Sequence, residues 1–178
     1  SGMDSEYRIR SGVIYVLLQA TINGHVYLPV KELKAQASEI LQISEDQVEN
    51  QLMNLSIDKK IIIKNIEDEP VVYASTYYYM ELNTARMLKN LNIRYEVSMR
   101  EAEHQIQRIE AGEKIFLDEM QKTAVVEAAR NGVLVITGGP GTGKTTTINA
   151  LIRFFENEGM EIRLAAPTGR IFPEESLD

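Results

Sequence analysis

The sequence predicts an α+β unit of helices and a β-hairpin, followed by the beginning of an α/β domain built on a parallel sheet. Three observations predict it. Apolar residues recur at helical spacing through three segments, then give way to two short β-branched runs split by a polar turn. Further along, an apolar strand, a glycine-rich loop, a helix and a second strand follow in the order of a βαβ unit. The loop between the first of those strands and its helix is Gly138-Gly139-Pro140-Gly141-Thr142-Gly143-Lys144-Thr145, which fits the pattern G-x-x-x-x-G-K-[ST].

The elements read in order. Residues 11–22 hold Val13, Ile14, Val16, Leu17 and Leu18 and predict a buried helix, stopped by Asn23-Gly24. Pro29 opens a second helix, where its missing N–H costs nothing. On that helix Leu33, Ala37, Ile40 and Leu41 share one apolar face. Ser44-Glu45-Asp46-Gln47 predicts a capping box at the start of a third helix, with Ile43 and Val48 at the staple positions and Leu52 and Leu55 continuing the core face. Ile61-Ile62-Ile63 and Val71-Val72-Tyr73 predict two strands around the turn Glu67-Asp68-Glu69-Pro70. Three helices and a hairpin describe a winged helix-turn-helix over residues 11–95. A helix over 77–91 carries Leu82, Ala85, Leu88 and Leu91. Residues 96–114 read as a helical connector ending near Gly112. The second domain, 115–178, opens with a helix from Leu117-Asp118 to Arg130 that Gly132 caps. Residues 133–137 predict a buried strand, 144–158 a helix closed by Gly159, and 161–166 a second strand leading into Ala166-Pro167-Thr168-Gly169-Arg170.

Composition bounds the function. The chain has 178 residues, 44% of them hydrophobic, and no cysteine, so it holds no disulfide framework, thiol nucleophile or zinc-thiolate site. His25 and His104 are too far apart in sequence for a local metal motif. No apolar run is long enough to span a membrane and no signal peptide is visible, so the expected compartment is the cytoplasm. Ser1-Gly2 before Met3 reads as a cloning remnant. The formal charge of −7 shows no overall basic surface, so any contact with nucleic acid is expected to be local or supplied by other parts of the protein.

The glycine-rich loop carries the clearest chemistry. Its glycines let successive backbone N–H groups point at phosphate oxygens, and the following helix adds its positive N-terminal end. Lys144, the one residue assigned a catalytic role, supplies an ammonium for the β- and γ-phosphates. The Thr145 hydroxyl is the expected Mg²⁺ ligand, with Thr146 beside it on the first helical turn. The expected cofactors are therefore ATP and Mg²⁺. Hydrolysis also needs an acid to hold Mg²⁺ and position water. After Thr145 the acids are Glu156, Glu158, Glu161, Glu174, Glu175 and Asp178, and none follows an apolar strand in the required way. The catalytic half of the site is expected elsewhere, and the α/β domain is expected to be truncated.

Two further elements narrow the family. Gln121 lies 17 positions before Gly138, on the helix ahead of the loop strand, and Pro167-Thr168-Gly169-Arg170 follows the next strand. With the phosphate loop, this combination resembles superfamily 1 helicases of the RecD-like type, whose motor domains are RecA-like. Val26-Tyr27-Leu28-Pro29 also looks like the helical region ahead of the first motor domain in stand-alone bacterial members. The resemblance implies that Gln121 reads the adenine edge, that Thr168 and Arg170 touch single-stranded DNA, and that the intact protein moves 5′ to 3′ on one strand. It fails beyond Arg170, where Ile171-Phe172-Pro173-Glu174-Glu175 replaces small and basic residues. Gln121 also stands three residues after Asp118, the position of the second capping-box residue.

The winged helix is expected to pack on protein rather than read DNA. From Ala35 to Asp58 there is no lysine, arginine or histidine, but there are five carboxylates: Glu39, Glu45, Asp46, Glu49 and Asp58. Such a surface repels phosphate. Lys59, Lys60 and Lys64 near the wing read as solvated lysines, with contact to a backbone phosphate the alternative. Tyr77-Tyr78-Tyr79 read as residues pointing in different directions with one or two in the core, with base stacking the alternative. In RecA-like domains the strands between the two predicted here come later in the chain. The expectation is therefore that residues 115–178 form no complete sheet alone, and that unpaired strand edges allow an oligomer. Two other readings stand: a different winged-helix phosphate-loop ATPase, and a non-catalytic interaction module.

Overall fold

The structure is a computed structural model and describes residues 2–166. The chain divides after Met87 into two compact units.

The first unit runs α1 (Gly2–Ile22), β1 (Tyr27–Pro29), α2 (Val30–Leu41), α3 (Glu45–Ile57), β2 (Ile61–Ile66), β3 (Glu69–Ala74) and most of α4 (Ser75–Leu91). The three strands form one antiparallel sheet in the order β1-β3-β2. Its register pairs Tyr27 and Ile62 with Tyr73, and Leu28 and Ile63 with Val72. Alternation then sends Leu28, Ile61, Val72 and Ala74 into one core with Val13, Val16 and Leu17 of α1, Leu33 and Ala37 of α2, and Val48, Leu52 and Leu55 of α3. The opposite sheet face carries Tyr27, Tyr73 and Lys64, and α4 turns back over it: Tyr78 on α4 stands 5.3 Å from Tyr73, ring centre to ring centre. Glu81, one turn further along, accepts a 3.0 Å hydrogen bond from the Tyr73 hydroxyl.

Local chemistry fixes the helix ends. The box at α3 forms as the sequence predicts. The Gln47 N–H reaches the Ser44 hydroxyl at 3.4 Å, and the Gln47 side-chain oxygen takes the Ser44 N–H at 3.1 Å. Gln42 ends α2 in the left-handed region at φ 55° and donates its N–H to the Ser38 carbonyl. Helix α1 differs from expectation. It starts earlier, and it is apolar on two sides. Leu18 and Ile22 are 41% and 75% exposed, on a stripe with Tyr7 and Tyr15. At 100° per residue that stripe lies opposite Val13, Val16 and Ala20. A helix with two apolar faces reads as wholly buried from sequence, yet only one face meets a core. Likewise α4 has no buried residue, although Leu82, Ala85, Leu88 and Leu91 fit a core spacing.

The second unit contains the end of α4, then α5 (Met99–Glu113), α6 (Glu119–Arg130) and α7 (Lys144–Asn157). Ala102, Ile106 and Ile109 of α5, Leu117 just ahead of α6, Val125 and Val126 of α6, and Ala150 and Phe154 of α7 make its core. The segment expected as a connector thus packs inside this unit, and Gly112 lies within α5. Gly132 is not the cap of α6. That cap is Asn131 in an extended conformation. A side chain on Gly132 would put its Cβ 1.8 Å from the Leu91 carbonyl oxygen, so the glycine is there for close backbone approach.

The two strands expected in this unit do not form. Residues 133–137 and 161–166 carry no ladder among the described residues. Val135 is 79% exposed and Leu134 38% exposed, against an expectation of burial. The segments carry no regular secondary structure and do not pair with one another. A strand is secured by a lateral hydrogen-bonding partner, and neither segment finds one here.

Two measurements check the first unit. Leu33 is fully buried, and Leu33→Ala should cost about 2–5 kcal/mol in urea unfolding. A loss under about 0.5 kcal/mol would remove Leu33 from the core. The Tyr73 hydroxyl is pushed up from an ordinary 10.0 to about 12 by burial and by its hydrogen bond to the Glu81 carboxylate. Its folded form stays protonated where the unfolded chain ionises. Its contribution is therefore complete below pH 10 and is lost between pH 10 and 12. Tyr73→Phe should flatten the alkaline loss of stability across that window, and an unchanged slope would show that another group causes it.

Candidate nucleotide site

The phosphate loop sits between the unpaired segment 133–137 and the start of α7. Gly143 is the residue ahead of the helix, in the left-handed region at φ 81°, and no side chain caps the helix there. The first N–H groups of α7 thus lack side-chain partners, which is the arrangement a phosphate oxygen can satisfy. Gly141 also has positive φ, at 74°. The Thr142 hydroxyl donates to the Gly139 carbonyl at 2.7 Å, which closes the tip of the loop. The Lys144 ammonium donates to the Gly138 carbonyl, so it folds back across the mouth of the loop. Gly138, Gly139, Pro140, Gly141, Thr142, Lys144 and Thr145 are exposed, and Gly143 and Thr146 are half-buried.

Gln121 meets this loop. Its side-chain oxygen accepts the Asp118 N–H at 2.9 Å, and its own N–H is received by the Asp118 carboxylate at 2.8 Å, so the capping box is complete. The side-chain amide nitrogen then donates to the Gly143 carbonyl at 3.1 Å. Thr147 donates to the same carbonyl twice, through its backbone N–H and its hydroxyl, each at 3.0 Å. This junction ties the start of α6 to the start of α7. A Cβ on Gly143 would stand 2.6 Å from that amide nitrogen, so glycine is required both by the backbone angle and by the neighbour.

Sequence reasoning did not find Thr147, although it is one of the few buried polar side chains, at 4% exposure. A hydroxyl four residues after a helix cap is the available signal, since it can bond back to the i−4 carbonyl. Thr168 and Arg170 lie outside the described residues. A groove of about 650 Å³ in this unit includes no phosphate-loop residue. It is lined by Val97, Ala102, Leu134, Phe154 and Met160 among others, and the buried side-chain oxygen of Gln105 is left without a partner. Among the described residues no group of three or more His, Asp or Glu side chains forms a metal cage. A Mg²⁺ ion held mainly by phosphate oxygens and one hydroxyl does not require such a cage, so the chemistry of Thr145 beside an uncapped helix end fits that cation.

Comparison with known proteins follows this geometry. A family model described as "AAA domain" matches residues 121–174, from Gln121 through the loop and α7. The chain is 27% identical over 189 residues to the RecBCD enzyme subunit RecD of Buchnera aphidicola subsp. Schizaphis graminum, covering 93% of this chain and 31% of that protein. It is 32% identical over 107 residues to the RecBCD enzyme subunit RecD of Haemophilus influenzae, covering 55% of this chain and 17% of that protein. The ATP-dependent RecD2 DNA helicase of Deinococcus radiodurans is 44% identical over 54 residues, 30% of this chain and 8% of that protein.

The chain is RecD-like. It spans under a third of the length of these relatives. The RecD-like resemblance is densest where identity is highest over short lengths, and the family match covers the same elements that build the Gln121–Gly143 junction.

The junction makes a direct prediction. Gly143→Ala should destabilise the second unit by at least about 1–2 kcal/mol, the cost of a left-handed non-glycine residue. It should also speed hydrogen exchange at the Thr147 amide. Gly139→Ala should do neither, because its Cβ would meet only Thr142 Cγ2 at 4.0 Å. Equal effects of the two substitutions would show that the loop, and not the junction, sets stability.

Proposed function

We propose that this RecD-like chain contributes the phosphate-binding half of the nucleotide site in an ATP-driven translocase that moves on single-stranded DNA. The uncapped N-terminus of α7, reached through a glycine loop and flanked by Lys144, carries this reading. The relatives named RecD and RecD2 DNA helicase support the DNA part of it. ATP with Mg²⁺ supplies the cleavable phosphoanhydride and the cation that shields its charge. The N–H groups of residues 144–146 would receive the β-phosphate. Lys144, released from the Gly138 carbonyl, would reach the β- and γ-phosphates. The Thr145 hydroxyl would hold Mg²⁺. The Gln121 amide would read the adenine edge, and Thr168 and Arg170 would touch the strand. The acid and the water-positioning group would come from parts of the intact protein that complete the sheet against residues 133–137 and 161–166.

The first unit is proposed to be a winged helix. Its order of helix, strand, helix, helix, strand, strand and its β1-β3-β2 sheet support that reading. Its α3 is proposed to pack on protein, in a soluble cytoplasmic complex. The N-terminus of α3, where a recognition helix would meet bases, carries Glu45, Asp46 and Glu49, and the nearby cation Lys34 is spent on Glu49 at 2.8 Å.

The test uses the longer protein that contains these residues. ATP hydrolysis should rise steeply with single-stranded DNA, and Lys144→Ala should lower it at least about a hundredfold, the size expected for losing one charge that stabilises the transferring phosphoryl group. A rate indifferent to DNA would favour a different phosphate-loop ATPase. A chain that binds no ATP with Mg²⁺ by calorimetry, in any length, would leave only a structural module.

A further inference from the structure

We propose that the first unit carries its own contact for single-stranded nucleic acid, a strip formed by Lys64 on β2 and Tyr79, Asn83 and Arg86 on α4. It rests on the reading that the intact protein tracks a DNA strand. The three consecutive tyrosines separate in the structure. Tyr77 packs against the first core. Tyr78 lies beneath the Lys64 ammonium, which stands 5.5 Å from its ring centre. Tyr79 contacts Tyr78 edge to face at 5.2 Å and remains 52% exposed. A ring packed crosswise on its neighbour and half open to solvent offers a surface on which a base can stack.

The charges around it match a phosphate chain. Asn83 and Arg86 follow Tyr79 at i+4 and i+7, so they share its helix face, and both are exposed. Lys64 stacks on Tyr78, the residue before Tyr79, and Lys59 and Lys60 precede β2 of the same hairpin. Among the described residues none of these five polar side chains is tied up in an ion pair. Of the acids near them, Glu81 keeps its charge but is turned toward the Tyr73 hydroxyl, and Asp58 pairs with Arg10. Glu67, Asp68 and Glu69 sit at the tip of the hairpin and bound the strip at that end. In a chain of net charge −7, two cations, Lys64 and Arg86, on the two elements that flank one half-open aromatic ring are a local exception. The Asn83 amide adds a donor and an acceptor for a base edge. Duplex recognition is not favoured, because the helix that would enter a groove, α3, is the acidic one.

The experiment uses the full chain, which contains no tryptophan. Tyr79→Trp therefore installs a single reporter. Its emission should be quenched as an oligo-dT of about 20 nucleotides, a length spanning one binding unit or more, is titrated in. Tyr79→Ala should weaken binding, read by anisotropy of labelled oligonucleotide, by about tenfold or more, the worth of one stacked base. Tyr79→Phe should retain it. Arg86→Gln and Lys64→Gln should each lower the slope of log affinity against log salt by about 0.7. Circular dichroism of each variant should match the parent, since the replaced side chains are exposed. Binding that is lost in Arg170→Ala and indifferent to Tyr79→Ala would overturn the proposal while leaving the translocase reading intact. Tyr79-dependent binding in a protein whose ATP hydrolysis ignores DNA would overturn that reading and leave the strip. Absence of oligo-dT binding, or equal binding of poly-glutamate with the same dependence on Tyr79, would also overturn the proposal, the second outcome marking a face for acidic protein.

Discussion

A strand's backbone needs a neighbour, and the two units of this chain differ because one supplies its own and the other does not. In the first unit β3 lies between β1 and β2, so its N–H and C=O groups are used on both sides. That ladder fixes which side chains reach the core. A shift of one residue would exchange Val72 and Ala74 for Val71 and Tyr73. In the second unit residues 133–137 and 161–166 have the β-prone sequence but no ladder among the described residues. In the second of them exposure still alternates: Ile162, Leu164 and Ala166 are less exposed than Glu161, Arg163 and Ala165. The pattern of a strand is written into the segment, and pairing is what it lacks.

The phosphate loop escapes this constraint because its shape is set from the helix side. Gly143 is held by one donor from Gln121 and two from Thr147, all on one carbonyl. Gln121 is in turn held by Asp118 through two backbone-to-side-chain bonds. These partners belong to α6 and α7, which share a core through Val125, Val126, Ala150 and Phe154. The exit of the loop is therefore ordered without the sheet. The entrance, on the strand side, rests on bonds within residues 138–144.

This division explains what was legible in the sequence. Both capping boxes, Ser44 with Gln47 and Asp118 with Gln121, depend on residues three apart, and both form. The glycine loop is local in the same sense, and its positive angles fall on Gly141 and Gly143. Burial was less legible, because it depends on what arrives from elsewhere in the chain. Leu18, Leu88 and Val135 are apolar residues at core spacing that remain exposed, since their faces meet no partner among the described residues. Gly132 looked like a helix cap because it follows Arg130 closely, whereas its role is to let the Leu91 carbonyl approach. No short pattern announces a contact across 41 residues. The link between Gln121 and Gly143 was illegible for the same reason, although both residues had been marked singly.

The same division bears on chemistry. Gathering phosphate needs oriented N–H groups and a cation, and those are local properties of a helix end and the lysine at its first turn. Cleaving phosphate needs an acid and a placed water, which must converge on the same point from other strands of a sheet. Local geometry can therefore be present in a segment where convergent geometry is not. In this chain the helix end is uncapped and the Lys144 ammonium rests on a backbone carbonyl. That carbonyl is a neutral partner, and a triphosphate carries formal charge that a carbonyl lacks, so exchange of one for the other is favourable for the ammonium. The resting contact keeps the lysine at the mouth of the loop, and the carbonyl would be a weaker partner than the proposed triphosphate. Gln121 stands at the opposite limit. Its side chain already accepts from Asp118 and donates to Gly143, so any base it reads must share the oxygen's second lone pair or the nitrogen's second hydrogen. The base recognition proposed for this residue would thus be tied to the loop exit by covalent geometry within a single amide group.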